Sequence, residues 1–177
     1  MTAANKITFL RILLVPVFMV FLLRDMWYIS AAIFLIAAIT DGVDGYIARK
    51  YQQITTLGKI IDPLADKLLV TAALIGLVWL QRLNPWFALI IISREFVVTS
   101  LRIVAISKGT VIAAATSGKL KTVTQITAIV VMLYNGVYKF SVGGILWSDI
   151  FMAAAVIITV YSGVEYIIAN RDKLKEA

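Results

Sequence analysis

Four aspartates lie within 26 residues of one another, in or beside stretches that otherwise have the composition of membrane-spanning helices. They are Asp41, Asp44, Asp62 and Asp66. A carboxylate in hydrocarbon costs several kcal/mol unless it is paired, hydrated or bound to a cation. We therefore expect this set to bind a ligand or to react, and not merely to pack.

The spacing of these aspartates divides them into two helical stripes. Asp41 and Asp44 are three residues apart, and Asp62 and Asp66 are four apart, so each pair shares one helix face. Consecutive helices joined by a short loop pack antiparallel, which allows the two stripes to face each other. Four converging carboxylates repel one another unless cations compensate their charge, and two metal ions sharing carboxylates are typical of phosphoryl chemistry.

Composition limits the metals and the acid–base groups that are available. The 177 residues include no histidine and no cysteine, which excludes imidazole shuttles, thiolate sites and disulfides. Ligands restricted to oxygen favour a hard cation, Mg²⁺ or Mn²⁺. The structural alternative is that the aspartates form salt bridges with Arg49, Lys59 and Lys67.

The composition also indicates that the surrounding solvent is a bilayer. The chain is 61% hydrophobic with a mean hydropathy of +0.92, whereas a soluble domain is roughly half apolar. Six apolar segments are each about long enough to cross ~30 Å of hydrocarbon: Ile7–Leu23, Tyr28–Ala48, Lys59–Leu80, Trp86–Ile106, Thr122–Tyr138 and Ile145–Ala169. We predict an all-α integral membrane protein with six transmembrane helices in a single domain, residues 1–177.

The basic residues predict the orientation of these helices. Ten lysines and arginines lie in the connections on one side and three on the other, which places both termini in the cytoplasm and the aspartates just below the cytoplasmic surface. This asymmetry accounts for the net charge of +7, and no soluble region remains to bind nucleic acid. Four basic residues lie inside apolar segments: Arg11, Lys67, Arg94 and Arg102.

The string from Asp41 to Asp66 resembles the signature of the CDP-alcohol phosphatidyltransferase family. It has two aspartates three apart, Gly-x-x-Ala-Arg after the second, eight further residues, and Gly-x-x-x-Asp-x-x-x-Asp. Every fixed position of the signature is present. The resemblance implies a six-helix membrane enzyme, commonly a homodimer, that transfers a phosphatidyl or similar group from a CDP-linked donor to an alcohol and releases CMP.

The resemblance also implies roles for individual residues. The metal ligands, for two ions of Mg²⁺ or Mn²⁺, would be Asp41, Asp44, Asp62 and Asp66. Asp66 would also be the general base, and in a chain without histidine a carboxylate beside a metal is a suitable proton acceptor. The nucleotide and donor would be bound by Gly45, Ala48, Arg49 and Gly58.

The N-terminal residues Asn5, Thr8 and Arg11 resemble the opening of the bacterial phosphatidylglycerophosphate synthases within this family. The three residues repeat at a spacing of three, so they share a helix face and could reach the donor nucleotide from the side. The alternative is an ordinary helix start in which Asn5 or Thr8 is the N-cap.

A basic set further along the chain resembles the same subgroup: Arg94, Arg102, Lys119 and Lys121. An acceptor that carries its own phosphate, such as glycerol 3-phosphate, needs a clamp of this kind, whereas serine does not. Alternatively, Glu95 pairs with one of the arginines, and the two lysines are positive-inside residues that open the fifth helix.

We therefore predict transfer of a phosphatidyl group from CDP-diacylglycerol to glycerol 3-phosphate in the bacterial cytoplasmic membrane. The active site would face the cytoplasm. Alternatives within the family use inositol phosphate, serine or phosphatidylglycerol as acceptor. A divalent-cation transporter is the alternative from another class, because intramembrane acids also line ion pathways. The segment after Tyr138 receives no role, and Glu165 is its only candidate for a buried acid.

Overall fold

The chain forms six helices in the predicted order in a computed structural model that describes residues 3–50, 56–107, 116–136, 141–142 and 145–171. The helices are α1 (Ala3–Leu23), α2 (Trp27–Lys50), α3 (Thr56–Trp79), α4 (Pro85–Ser107), α5 (Thr116–Asn135) and α6 (Trp147–Ala169). Two short strands, β1 (Ser141–Val142) and β2 (Ile145–Leu146), precede α6. The all-helical class is confirmed, apart from this small hairpin.

All six helices begin at a residue other than the predicted one: the first five begin earlier, and α6 begins later. Helix α5 begins at Thr116 and not at Thr122, because its first turns are polar and a hydropathy boundary leaves them out. Helix α6 begins two residues later than predicted, since Ile145 pairs with Val142 in an antiparallel ladder and its backbone is extended. The predicted end of the fifth segment, Tyr138, lies outside the described residues.

One apolar core joins all six helices. Its fully buried side chains include Phe18 of α1, Phe34 of α2, Leu74 of α3, Leu133 of α5 and Met152 of α6. The rings of Phe18 and Phe34 lie 5.8 Å apart. Helix α1 packs against α2 and α3, and α6 packs against α5 and α4, so the six helices enclose a continuous interior.

Short connections place the functional regions at one end of the bundle, which we call the motif end. It contains the last turns of α2 and the first turns of α3, joined through residues 51–55. The same alternation brings the C-terminal halves of α4 and α6 and the N-terminal half of α5 to this end. At the opposite end, the guanidinium of Arg82 lies 5.5 Å from the centre of the Trp27 ring.

The outer surface of the bundle is apolar. Ile39, Ile103 and Ile157 are each more than 60% exposed, which is unusual for a surface in contact with water. Among the described residues, α6 is the one helix that is long and apolar enough to cross a membrane. Shorter apolar stretches occupy Thr8–Leu23, Trp27–Thr40 and Lys67–Trp79.

A test of the core follows from Gly136, at the end of α5. A methyl group added there would lie 2.3 Å from Cδ2 of Trp27, so Gly136→Ala forces the indole ring to move and should destabilise the fold by about 1–3 kcal/mol. Thermal unfolding in detergent measures this loss. Gly118→Ala is the matched control, because nothing lies within 4 Å of its added methyl; equal melting temperatures for the two variants would contradict the packing described.

Candidate active site

A cavity of about 430 Å³ lies at the motif end, between α3, α4, α5 and α6. Its lining includes all four residues of the predicted acceptor-phosphate set, Arg94, Arg102, Lys119 and Lys121, and adds Lys67 from α3. The structure therefore brings together basic side chains that are up to 54 positions apart in the sequence, from Lys67 to Lys121. Their role in binding an acceptor remains a prediction.

Glu95 is the acidic centre of this basic cavity. Its Oε1 accepts a hydrogen bond from the ammonium of Lys121 and lies 3.4 Å from Nη1 of Arg94, while its Oε2 lies 3.9 Å from Nζ of Lys67. The predicted pairing of Glu95 with one arginine is thus confirmed for Arg94, but both lysines were missed. None of the four side chains is more than 21% exposed, so solvent screens these charges only weakly.

The burial of Lys121 argues against the alternative that this lysine is only a positive-inside residue at the start of α5. A positive-inside lysine at a helix start would extend into water, whereas Lys121 is 6% exposed and bonded to Glu95. Lys119, two residues earlier, is exposed and fits either interpretation.

Helix α6 holds Arg94 in place. The Nη2 of Arg94 donates to Oγ of Ser162 at 2.9 Å, and Ser162 in turn donates to the carbonyl oxygen of Thr159 at 3.1 Å. A Cβ added at Gly163 would lie 3.1 Å from Cγ of Arg94, so the arginine stem lies directly against the bare backbone of α6. The side chain is therefore fixed along its whole length.

Arg102 adds a second guanidinium group to the cavity lining, and this one lies against an aromatic ring. Its Cζ lies 5.9 Å from the ring centre of Tyr166, a cation–π distance. Among the described residues, neither Arg102 nor Lys119 has a carboxylate within salt-bridge distance. Of the described residues, five cationic side chains and one carboxylate line the cavity, an excess of positive charge that favours an anionic ligand.

The acidic motif lies on two helices that contact each other, α2 and α3. The backbone is helical through Asp41, Asp44, Gly45, Ala48 and Arg49 in α2, and through Gly58, Asp62 and Asp66 in α3. The side chains of these residues lie outside the described part of the structure, so their predicted metal, donor and base roles stay predictions. Lys67 follows Asp66 directly, which places the basic cavity on the same turn of α3 as the end of the motif.

The N-terminal set lies inside α1 and not at its start. Helix α1 begins at Ala3, so the N-cap alternative for Asn5 and Thr8 is wrong. Thr8 and Arg11 are each 1% exposed, which confirms a shared buried face; the side chain of Asn5 lies outside the described residues.

Arg11 lies between the two motif-bearing helices. It lines a small cavity with Ala37 of α2 and Val70 of α3. Those residues are one helical turn from Asp41 and Asp66. The position of Arg11 therefore fits the predicted contact with the donor, which itself remains a prediction.

Comparison with known proteins identifies the family to which this architecture belongs. Residues 1–161 match the family model described as CDP-alcohol phosphatidyltransferase. The chain belongs to the CDP-alcohol phosphatidyltransferase family. The match spans α1 to α5 and much of α6, and so includes both the acidic motif and most of the basic cavity.

Relatives within the family cover nearly the whole chain. A Bacillus subtilis protein named CDP-diacylglycerol–glycerol-3-phosphate 3-phosphatidyltransferase is 43% identical over 97% of this chain and 96% of its own length. Proteins of the same name from Salmonella typhimurium and Escherichia coli are 35% and 33% identical, each over 95% of this chain and 94% of their own length.

The part of the site that sequence reasoning missed is the face of α6 towards the cavity. Ser162 and Tyr166 line the cavity beside Gly163, and they lie beyond the residues that match the family model. Their spacing of four residues places them on one helix face, but serine, glycine and tyrosine in an apolar segment also fit ordinary helix packing. The acid singled out in this segment, Glu165, is half-buried and does not line the cavity.

A prediction follows from the charges around Glu95. Glu95→Gln keeps the shape but removes a buried negative charge beside Lys121 and Arg94, so it should destabilise the protein by about 3 kcal/mol. Inorganic phosphate should raise the melting temperature of this variant more than that of the original protein, because an anion that binds the folded state replaces the lost carboxylate.

Asp149→Asn is the matched control for this experiment, because Asp149 is exposed and forms no ion pair with any described residue. It should change the melting temperature little. A Glu95→Gln protein as stable as the control, and no more responsive to phosphate, would show that the ion cluster contributes nothing to the free energy of unfolding.

Proposed function

We propose that this protein transfers the phosphatidyl group of CDP-diacylglycerol to glycerol 3-phosphate, forming phosphatidylglycerophosphate and CMP. Three bacterial relatives that cover at least 95% of the chain are named for this reaction. The structural observation that supports it most directly is the cavity with five cationic side chains beside the last motif residue. Membership of a transferase family also favours this reaction over divalent-cation transport.

The charge of the cavity bears on the choice of acceptor. Guanidinium groups bind phosphate oxygens through paired hydrogen bonds, and Arg94 and Arg102 both line this cavity. Serine is a zwitterion without a phosphate and would leave the guanidinium of Arg102 without a strong anionic partner among the described residues. Inositol phosphate shares the phosphate, and here the names of the relatives favour glycerol 3-phosphate.

The proposed cofactor is a pair of Mg²⁺ or Mn²⁺ ions at the acidic motif. Four carboxylates on two contacting helices, in a chain without thiols or imidazoles, are a donor set that fits hard divalent cations. The ligands would be Asp41, Asp44, Asp62 and Asp66. When bound, the ions would neutralise the donor's diphosphate and stabilise the departing CMP.

The chain's own residues would orient the two substrates around that motif. Arg11 would contact the donor from the side of α1, and the backbones at Gly45, Ala48 and Gly58, with Arg49, would form the nucleotide site. Asp66 would accept the proton of the acceptor hydroxyl as that oxygen attacks phosphorus. The basic cavity, on the same turn of α3, would hold the acceptor by its phosphate.

The proposed arrangement in the membrane has six spans, both termini in the cytoplasm and the motif end at the cytoplasmic surface. The apolar outer surface and the basic side chains at the motif end support it. A homodimer, common in the family, belongs to the same proposal.

The absence of cysteine makes this orientation testable with single introduced thiols. A cysteine at position 84, between α3 and α4, should react with a membrane-impermeant reagent added outside, and one at position 171, after α6, should react only after the membrane is opened. The reverse pattern would invert the proposed topology.

The test of the proposed reaction is an acceptor profile with purified protein. CMP release from CDP-diacylglycerol should depend on glycerol 3-phosphate and on a divalent cation, and should not respond to serine. Release with inositol phosphate but not with glycerol 3-phosphate would reassign the acceptor. Flux of divalent ions through reconstituted vesicles without CMP release would replace the transferase with a transporter.

Arg102→Ala tests the acceptor-phosphate site. Loss of a charged hydrogen-bond donor should raise the KM for glycerol 3-phosphate about 10- to 100-fold, with little effect on the KM for CDP-diacylglycerol. Arg82→Ala removes an arginine that also lies against an aromatic ring, but at the opposite end of the bundle, and is the matched control. Equal increases in both KM values for Arg102→Ala would assign this arginine to the fold.

Asp66→Asn tests the proposed base. It should lower kcat by about 10²- to 10⁴-fold, the usual contribution of general-base catalysis, while CDP-diacylglycerol binding stays measurable because three carboxylates remain. Asp25→Asn is the control, since Asp25 lies at the opposite end with a φ of 58°, a conformation that asparagine also tolerates. Unchanged turnover in Asp66→Asn would remove this residue from the mechanism.

A further inference from the structure

The hydroxyl of Tyr166 is a buried donor without an acceptor among the described residues. The residue is 4% exposed, and its Oη has no hydrogen-bond partner within the described part of the chain. A buried hydroxyl in this state costs about 1–3 kcal/mol relative to a satisfied one. Such groups are rare in folded proteins and call for a physical explanation.

The position of the Tyr166 hydroxyl explains why it lacks a partner. Tyr166 lines the basic cavity, and the guanidinium of Arg102 lies against its ring. Two other buried polar atoms in the same lining, Nε of Arg94 and Oγ of Ser117, also lack partners among the described residues. Three unsatisfied donors from α4, α5 and α6 thus surround one cavity, as expected where a ligand completes the hydrogen bonds.

The ligand that satisfies these donors must offer several acceptor oxygens. The surrounding side chains are cationic, so the ligand is also an anion. A phosphate group meets both requirements, because its oxygens accept hydrogen bonds from hydroxyl and guanidinium groups alike. A carboxylate ligand would offer only two oxygens, fewer than a phosphate group. The cavity also already contains one carboxylate, that of Glu95.

We propose that Tyr166 is a specificity-determining residue whose hydroxyl donates a hydrogen bond to the phosphate of the acceptor, with Ser117 as a second hydroxyl donor. The inference rests on the proposed function and extends its site to α6, beyond the residues that match the family model. Tyr166 thus has two contacts: its ring carries Arg102, and its hydroxyl binds the substrate.

Tyr166→Phe separates these two contacts, because it removes the hydroxyl and keeps the ring under Arg102. The full-length protein is assayed in detergent with CDP-diacylglycerol and radiolabelled glycerol 3-phosphate, and inorganic phosphate is added as a competing anion. We expect the KM for glycerol 3-phosphate and the inhibition constant of phosphate both to rise about tenfold or more. The KM for CDP-diacylglycerol should stay within about twofold of the original, which also shows that the variant is folded.

Tyr161→Phe is the matched control. It makes the same chemical change on the same helix, at a tyrosine that is 65% exposed and does not line the cavity. It should leave all three constants unchanged.

Three results would overturn the inference. Unchanged constants in Tyr166→Phe, with glycerol 3-phosphate still used by the original protein, would show that the hydroxyl binds no substrate. A higher KM for glycerol 3-phosphate with an unchanged inhibition constant for phosphate would assign the hydroxyl to the glycerol part of the acceptor. If the original protein is folded but incorporates no glycerol 3-phosphate, the proposed function is wrong and the inference fails with it.

Discussion

The ion cluster around Glu95 is the interaction on which the organisation of the site depends. One carboxylate between Lys67, Arg94 and Lys121 ties α3, α4 and α5 together at the motif end. Since these side chains are largely buried, the cations could not be kept so close without a counter-charge. Among the described residues the carboxylate offsets only part of the positive charge that lines the cavity, and the remaining excess favours an anionic ligand.

The fold turns this local arrangement into a place where two kinds of substrate can meet. Helix α3 carries the end of the acidic motif and, at the next residue, a lysine of the basic cavity. The apolar outer surface suits contact with lipid chains, whereas the cavity suits a small charged molecule from water. A lipid donor and a soluble phosphate-bearing acceptor would therefore approach the same turn of α3 from different surroundings.

The number and order of the helices were predictable because six apolar stretches of similar length leave few alternatives. The convergence of Arg94, Arg102, Lys119 and Lys121 was also predictable, since charged residues in apolar segments rarely face lipid. The contacts of Glu95 with two lysines were not, because they depend on how α3 and α5 pack against α4. Ser162, Gly163 and Tyr166 were missed for a related reason: their contribution lies in a bare backbone and an unsatisfied hydroxyl, which residue types in an apolar segment do not reveal.

The proposed function depends on recognition of the acceptor's phosphate by the basic cavity. The most direct measurement compares kcat/KM for glycerol 3-phosphate with that for glycerol, using purified protein and CDP-diacylglycerol. Glycerol has the same carbon skeleton with a hydroxyl in place of the phosphate. A site built to hydrogen-bond a charged group should prefer glycerol 3-phosphate by on the order of 10³-fold or more. Values for the two acceptors within about tenfold of each other would contradict this account, because the cationic cavity would then contribute almost nothing to recognition.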